Sequence, residues 1–156
     1  DEGGKRLIEM LHAHAGDLSG RIRVAYLPDY DMDIALAMVS GADIWLNTPQ
    51  PPLEASGTSG MKAAFNGVPS LSILDGWWIE GCIEGITGWG IGDGARADDG
   101  GDAASLYDKL ERVVLPLYYG NRPGWVGVMK GAISKNASFF NSHRMMQRYT
   151  TEAYVH

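Results

Sequence analysis

The chain has 156 residues, of which 45% are hydrophobic and 21% charged, and its formal net charge is −6. This length fits one domain with a hydrophobic core; the acidic balance argues against broad nucleic-acid binding, and no apolar run approaches the roughly 18 residues of a membrane span. The single cysteine, Cys82, excludes an internal disulfide and a multi-cysteine metal site, which fits a reducing cytoplasm.

Hydrophobic spacing and turn residues predict short strands that alternate with helices, followed by helices alone. In chain order, the predicted elements are a helix over 5–14, a strand over 21–27, a helix over 33–39, a strand over 42–47, a helix from 60 to about 66, a strand over 70–74, a short strand over 89–91, and helices starting near 102, 123 and 142. Asp102 and Ser142 are the expected N-caps of two late helices, and Pro123 is expected to open another. The pattern predicts an α/β fold with a parallel sheet and a helical tail.

The predicted sheet is small, because three or four strands are fewer than a doubly wound domain usually has. We expect residues 1–101 to form a partial Rossmann-like domain that carries Lys62, and residues 102–156 to pack on it as helices within one structural unit. Asp1 is not an initiator methionine, so we expect a fragment of a longer protein. An incomplete sheet has an unpaired edge and bare apolar faces, which favour a homo-oligomer.

The most informative stretch of the chain is EASGTSGMKAAFNG, from Glu54 to Gly67. Small, flexible residues separate Glu54 from Lys62, and the chain after the lysine is apolar and helix-prone. This arrangement suits a loop that grips a polar ligand, followed by a helix start whose free N–H groups and positive dipole end attract phosphate. Lys62 falls within about the first turn of that helix, close enough to bond covalently with an aldehyde-bearing phosphate compound.

The loop over 48–60 follows a predicted strand and should overhang the carboxyl edge of the sheet, where α/β proteins bind ligands. Glu54 can accept hydrogen bonds from vicinal sugar hydroxyls. Small residues supply the backbone N–H groups and hydroxyls that would contact a ligand: Gly57, Thr58, Ser59 and Gly60. The residue types favour a sugar at the glutamate and a phosphate at the helix end.

EASGTSGMKAAFNG, followed by LSILDGWWIEG, resembles the pyridoxal-phosphate segment of the α-glucan (glycogen, maltodextrin and starch) phosphorylases, in particular of their bacterial and archaeal branch. YLPDYDMDIA before it and WVGVMKGAISKNASFFNSHRMMQRY near the end are also similar, so the resemblance covers most of the chain. It implies a GT-B glycosyltransferase fold, with two Rossmann-like domains around a cleft. This chain would come from the C-terminal domain.

The resemblance also implies roles for residues that match the family's motif. Lys62 would form a Schiff base with pyridoxal phosphate, and Tyr30 would lie against this cofactor. The cofactor phosphate would be held by Thr58, Ser59 and Gly60, and the hydroxyls of the transferred glucosyl unit by Glu54, Ser56 and Gly57. Ser59 and Gly60 replace the glycine and asparagine of the animal and plant enzymes, which leaves the side-chain contacts at these two positions open.

The implied reaction is the reversible phosphorolysis of terminal α-1,4-glucosyl bonds of a glucan by orthophosphate, which gives α-D-glucose 1-phosphate with retention. In such enzymes the cofactor's phosphate, with a second pKa near 6, serves in proton transfer. Family members bind the substrate phosphate with a lysine and an arginine from earlier in the chain. Because those residues cannot be mapped here, we expect little or no turnover from this chain alone. No metal ion, nucleic acid or membrane is implied.

Two other function classes stay open. A sugar-nucleotide-dependent GT-B transferase, such as a glycogen or starch synthase, also places a glutamate and a small-residue loop before a helix. In that case the nucleotide's diphosphate would occupy the place of the cofactor phosphate, but Lys62 and the pair Trp77 and Trp78 argue against it. A non-catalytic glucan-binding module would bind glucan without turnover and would still do so after Glu54→Ala.

For several other side chains a structural role is the preferred interpretation. Trp77 and Trp78 are adjacent in an extended segment and face opposite ways, so we expect packing rather than a shared sugar platform. His12 and His14 project about 200° apart on a helix and cannot chelate one metal ion together. Cys82 has no histidine nearby in the sequence to activate it, so we expect inert packing.

Overall fold

A computed structural model of the chain describes residues 2–92 and 99–155. The chain divides into two compact units, Asp1–Ala35 and Leu36–His156. None of the helices in the described ranges combines the length and the apolar content that a bilayer crossing requires. The expected division into residues 1–101 and 102–156 stays a prediction.

The first unit contains helix α1, Glu2–Leu18, which confirms the predicted helix but continues past Gly16. Residues 22–28 have no regular secondary structure, so the strand predicted over 21–27 is wrong. The alternation of β-branched residues is not sufficient, because a strand also requires a hydrogen-bonded neighbour. In the described ranges the sheet is formed by three later segments only.

Helix α2, Met32–Gly41, confirms the short helix predicted over 33–39. Asp31 caps its start, because its Oδ1 accepts a hydrogen bond of 2.9 Å from the backbone N–H of Ile34. The helix buries Val39.

The second unit is built on a parallel sheet with the order β1-β2-β3. The strands are β1 Trp45–Asn47, β2 Ser70–Ile73 and β3 Gly88–Ile91. Helix α3, Thr58–Phe65, connects β1 to β2, and the short helix α4, Trp78–Gly81, lies between β2 and β3 in sequence. Parallel strands joined through helices confirm the predicted α/β class.

The described chain after β3 is helical, as predicted. Its elements are α5 Asp99–Lys109, a π-helical segment Leu110–Val114, α6 Leu115–Gly120, α7 Arg122–Gly131, a second π-helical segment Ala132–Ala137, α8 Ser142–Tyr149 and a third π-helical segment Thr150–Tyr154. Pro123 lies in the first turn of α7, which confirms its predicted place.

Two predicted N-caps are wrong. Helix α5 begins at Asp99, so Asp102 lies inside its first turn instead of preceding it. At α8 the cap is Asn141, one residue before the predicted cap: its backbone is extended (φ −131°, ψ 158°) and its side chain accepts a hydrogen bond from the N–H of Arg144. Ser142 is therefore the first helical residue.

The two faces of the sheet differ in side-chain size. One face buries large apolar residues against the late helices: Leu71, Ile73, Trp89 and Ile91 of the sheet with Val114, Trp125 and Val128. Because side chains alternate along a strand, the other face of β2 and β3 carries only small residues: Ser70, Ser72, Gly88 and Gly90. Ala63 of α3 packs in a separate cluster with Val39 and Val68.

Candidate functional site

The loop that joins β1 to α3 lies at the carboxyl edge of the parallel sheet, as predicted. Glu54, Ser56 and Gly57 belong to this loop and are partly buried. Lys62 is exposed on α3, the helix that follows the loop directly. The structure therefore brings the expected sugar-binding residues and the expected cofactor lysine to one edge of the sheet.

The start of α3 is an uncapped helix N-terminus. Gly57 is at the N-cap with φ 85° and ψ 45°, a left-handed conformation that glycine adopts without strain, and it makes no side-chain cap hydrogen bond. In the described part of the chain, the backbone N–H groups of Thr58 and Ser59 meet no acceptor. These two donors and the positive end of the helix dipole can together hold an anion.

Lys62 shares a helix face with these open donors. It follows Thr58 by four residues and Ser59 by three, and such pairs are neighbours on a helix surface. Side chains of a helix lean towards its N-terminus, so Lys62 extends from its own turn towards the first one. Within residues 2–92 and 99–155, its Nζ atom has neither an ion pair nor a hydrogen bond.

The opposite face of α3 is packed. Gly60, Ala63 and Ala64 are buried there, and the helix packs against the second π-helical segment. Small residues at these positions let the two helical backbones approach closely. The packed face fixes the rotation of α3 about its axis and thereby keeps Lys62 on the outside.

A second loop, which follows β2, is hydrogen-bonded to the first. Asp75 is 6% exposed, and its two carboxylate oxygens accept hydrogen bonds of 3.0 Å from the backbone N–H of Glu54 and of 2.9 Å from that of Gly76. The backbone N–H of Trp77 donates to the carbonyl oxygen of Ser56 at 2.8 Å. Both loops therefore share one hydrogen-bond system.

The indole of Trp77 packs next to this hydrogen-bond system. It lies against Gly60, where a Cβ would stand only 2.9 Å from the indole Nε1. The ring centroids of Phe140 and Trp78 lie 5.3 Å and 5.0 Å from that of Trp77. Trp77 and Trp78 are 7% and 1% exposed, which confirms the predicted packing role. The extended segment predicted there is wrong, because Trp77 is the N-cap of α4 with a helical backbone (φ −62°, ψ −26°) and both rings lie in one cluster.

Sequence reasoning did not identify Asp75 and Trp77 as site residues. The available signal was the position of Asp75, which follows β2 as the Glu54 loop follows β1. Because β1 and β2 are parallel neighbours, their carboxyl ends meet at the same edge of the sheet. That topology requires the strand pairing, which the sequence alone did not establish.

A cavity of about 260 Å³ opens at the same edge of the sheet. It is lined by residues 48–51, by the last residues of β2 and β3, and by Asp102, Ala103 and Leu106 of α5. Asp102 is the one charged side chain among these described lining residues, so the cavity does not suit an anion. The open N–H groups at the start of α3 are better suited to an anion than this cavity is.

Tyr30 belongs to the first unit and is 59% exposed, and its expected place against a cofactor stays a prediction. His12 and His14 are exposed on α1. Cys82 is partly buried, and this burial raises the pKa of its thiol to about 11, with a smaller contribution from the carboxylate of Glu84. A thiol that stays protonated at neutral pH fits the expected packing role.

Comparisons with known proteins, by family model and by sequence, agree with one another. The family model described as carbohydrate phosphorylase matches residues 7–85. The chain is 45% identical to maltodextrin phosphorylase of Thermococcus litoralis and 46% identical to glycogen phosphorylase of Aquifex aeolicus, over 99% of the chain and 19% and 23% of those proteins. It is 40% identical to glycogen phosphorylase of Mycobacterium tuberculosis, over 99% of the chain and 19% of that protein. The chain thus spans about a fifth of the length of these curated relatives. No solved structure matches it.

Proposed function

The chain belongs to the carbohydrate phosphorylase family, and on this premise we propose that it forms part of an α-glucan phosphorylase that depends on pyridoxal phosphate. The proposed reaction is the reversible phosphorolysis of terminal α-1,4-glucosyl bonds by orthophosphate, with α-D-glucose 1-phosphate as the product. For the chain alone we propose binding without significant catalysis: the chain binds the cofactor and a glucosyl unit, with little or no turnover.

The start of α3 fits pyridoxal phosphate, and this observation carries the proposal. A phosphate monoester matches the two open N–H groups of Thr58 and Ser59. An aldehyde matches the exposed, unpaired amine of Lys62, which lies one turn later on the same face. Lys62 would hold the cofactor through a Schiff base, Gly60 would contribute backbone to the phosphate site, and Tyr30 would lie against the cofactor.

When bound, pyridoxal phosphate supplies a phosphate group with a second pKa near 6, which suits proton transfer at neutral pH. The chain's own residues bind the cofactor and orient it. The N–H groups of Thr58 and Ser59 hold negative charge at a fixed position, and Lys62 anchors the cofactor beside them. The positive end of the α3 dipole adds to this binding of charge.

The sugar would bind at the loop before α3. The carboxylate of Glu54 only accepts hydrogen bonds, and sugar hydroxyls donate them. Ser56 adds a hydroxyl, and Gly57 lets a ligand approach the backbone because it has no side chain. All three residues are partly buried, so a glucosyl unit there would be partly shielded from water.

Covalent labelling tests the proposal directly. The chain is incubated with pyridoxal phosphate, reduced with borohydride, digested and analysed by mass spectrometry. We expect about one pyridoxyl group per chain, on the peptide that contains Lys62. Lys62→Ala should lose this label, whereas Lys135→Ala, which removes an exposed lysine in the second π-helical segment, should retain it.

Three outcomes would contradict the proposal. They are the absence of stoichiometric label, a label on a lysine other than Lys62, and a label that survives in Lys62→Ala. A colourless chain that binds a sugar nucleotide would indicate a synthase-type transferase. A chain that binds glucan equally well after Glu54→Ala and takes up no cofactor would indicate a non-catalytic module.

The proposal also includes a cytoplasmic location and a homo-oligomer. The unpaired Cys82 supports a reducing compartment. The sheet order leaves β1 and β3 at its edges in the described part of the chain, and Leu46 of β1 is 54% exposed. An open edge with exposed apolar side chains favours pairing with another copy.

A further inference from the structure

Asp75 is a buried carboxylate that holds two loops together. Its Oδ2 atom accepts from the N–H of Glu54, and its Oδ1 atom accepts from the N–H of Gly76. From this geometry we infer that Asp75 is a positioning residue for sugar binding, and that it acts through Glu54. The inference rests on the proposed function, because it assigns to Glu54 the sugar ligand proposed above.

The chemistry of the contact requires a carboxylate. Asp75 is 6% exposed, and in the described ranges its side chain forms no ion pair, so the two N–H groups are its polar partners. Both oxygens of a carboxylate accept hydrogen bonds, whereas the amide of asparagine accepts at one atom and donates at the other. In Asp75→Asn, one of the two N–H groups would face another donor. A buried N–H group without an acceptor is costly.

The side chain of Glu54 is directed by the same segment. A Cβ built on Gly76 would stand 3.0 Å from Cγ of Glu54 and 2.6 Å from the carbonyl oxygen of Ser56. The stem of Glu54 therefore lies over a position where a side chain is missing. Gly76 has φ 54°, a conformation that glycine adopts readily. Asp75 fixes the backbone of Glu54 while Gly76 leaves room for its side chain.

The hydrogen bond from Trp77 to Ser56 completes the arrangement. Residues 75 and 77 thus bind residues 54 and 56 of the first loop. Loss of one of these two anchors would free the Glu54 end of the loop but leave the start of α3 in place. Asp75 should therefore affect sugar binding more than cofactor binding.

The test compares four proteins after loading with pyridoxal phosphate: wild type, Asp75→Asn, Glu54→Gln and the double variant. The affinity for glucose 1-phosphate is measured by titration calorimetry, and cofactor occupancy by the borohydride label. Asp108→Asn is the matched control, because it removes the same charge from an exposed position on α5. Amide hydrogen exchange of Glu54 and Gly76 reports the contact itself.

We expect Asp75→Asn to weaken glucose 1-phosphate binding about tenfold, the equivalent of about 1.4 kcal/mol, with cofactor occupancy unchanged. In the Glu54→Gln background, Asp75→Asn should have no further effect on affinity, because a residue that acts through Glu54 has nothing left to position. The exchange of the Glu54 and Gly76 amides should become at least about tenfold faster. Asp108→Asn should change none of these quantities.

Two outcomes would overturn the inference. They are an unchanged affinity in Asp75→Asn and an effect of equal size with and without Glu54→Gln. If Asp75→Asn does not fold, the wild type decides: Glu54 and Gly76 amides that exchange as fast as the amide of the exposed Ala55 would refute the contact. A wild type that takes up no cofactor, or that takes it up but does not bind glucose 1-phosphate, refutes the proposed function instead, so the two failures are distinct.

Discussion

Replacement of Gly60 by alanine tests whether Trp77 determines how α3 begins. A Cβ at position 60 would stand 2.9 Å from Nε1 and 3.0 Å from Cζ2 of the indole. The indole cannot retreat freely, because it is 7% exposed and is packed against Phe140 and Trp78. The added methyl group must therefore displace either the helix start or a closely packed aromatic cluster.

The expected magnitude follows from two opposing effects. In an unobstructed helix, a change from glycine to alanine stabilises by about 1 kcal/mol. Insertion of an extra carbon into a packed interior costs typically about 1–3 kcal/mol. We expect the overpacking to dominate, with a net loss of up to about 2 kcal/mol in the free energy of unfolding, which corresponds to a fall in Tm of up to roughly 8 °C for a domain of this size.

The measurement is urea unfolding followed by tryptophan fluorescence. All five tryptophans lie in Leu36–His156, so the signal reports on the unit that contains α3. Gly127→Ala is the control, because Gly127 is exposed on α7 and a Cβ there would meet nothing within 4 Å. This control should gain up to about 1 kcal/mol, the normal helix preference of alanine.

A smaller ring at position 77 should relieve the clash. In the Trp77→Phe background, the penalty of Gly60→Ala should shrink by about 1 kcal/mol or more, a coupling typical of residues in direct contact. Two results would refute the reasoning: a Gly60→Ala chain as stable as Gly127→Ala, or a penalty that is the same with either aromatic residue at position 77.

Three further predictions concern activity, reactivity and assembly. Phosphate release from glucose 1-phosphate with a maltodextrin primer should be close to background for this chain, and a rate like that of complete phosphorylases would contradict the narrower proposal. Burial raises the pKa of Cys82 from 9.0 to about 11, so its alkylation by iodoacetamide at pH 8 should be about a hundredfold slower than that of an unperturbed thiol. The alkylation rate should rise with pH until about pH 11, and alkylation at the ordinary rate at pH 8 would contradict the burial of the thiol. Light scattering should show a dimer or larger species, and a clean monomer would argue against edge pairing through β1.

The sequence was sufficient for elements whose signals are local. Helix α3 begins beside a glycine and ends before Asn66 and Gly67, close to the predicted bounds, because turn residues act within a few positions. It was insufficient for residues 21–27, which carry a strand-like alternation. Strand formation depends on a partner elsewhere in the chain, and the described sheet pairs only β1, β2 and β3.

The same distinction applies to the site. Glu54 and Lys62 lie eight residues apart, so one motif contains both, and the sequence alone was sufficient to propose them together. Asp75 lies 21 residues from Glu54 and reaches it only because β1 and β2 are parallel neighbours. Trp77 was predicted to pack, but its packing partner Gly60 depends on the same strand pairing. Contacts of this kind follow from the topology.

In the first loop, backbone atoms and side chains have different roles, which would let one short segment bind both of the proposed groups. The loop is held on one side through backbone atoms, the N–H of Glu54 and the carbonyl of Ser56. In the described ranges the carboxylate of Glu54 and the hydroxyl of Ser56 form no hydrogen bond, so both are free for the proposed sugar. Gly57 then turns the chain into α3 without a side-chain cap, and the N–H groups of Thr58 and Ser59 stay available to a phosphate. A conventional N-cap at position 57 would satisfy one of these donors and so remove part of the anion site.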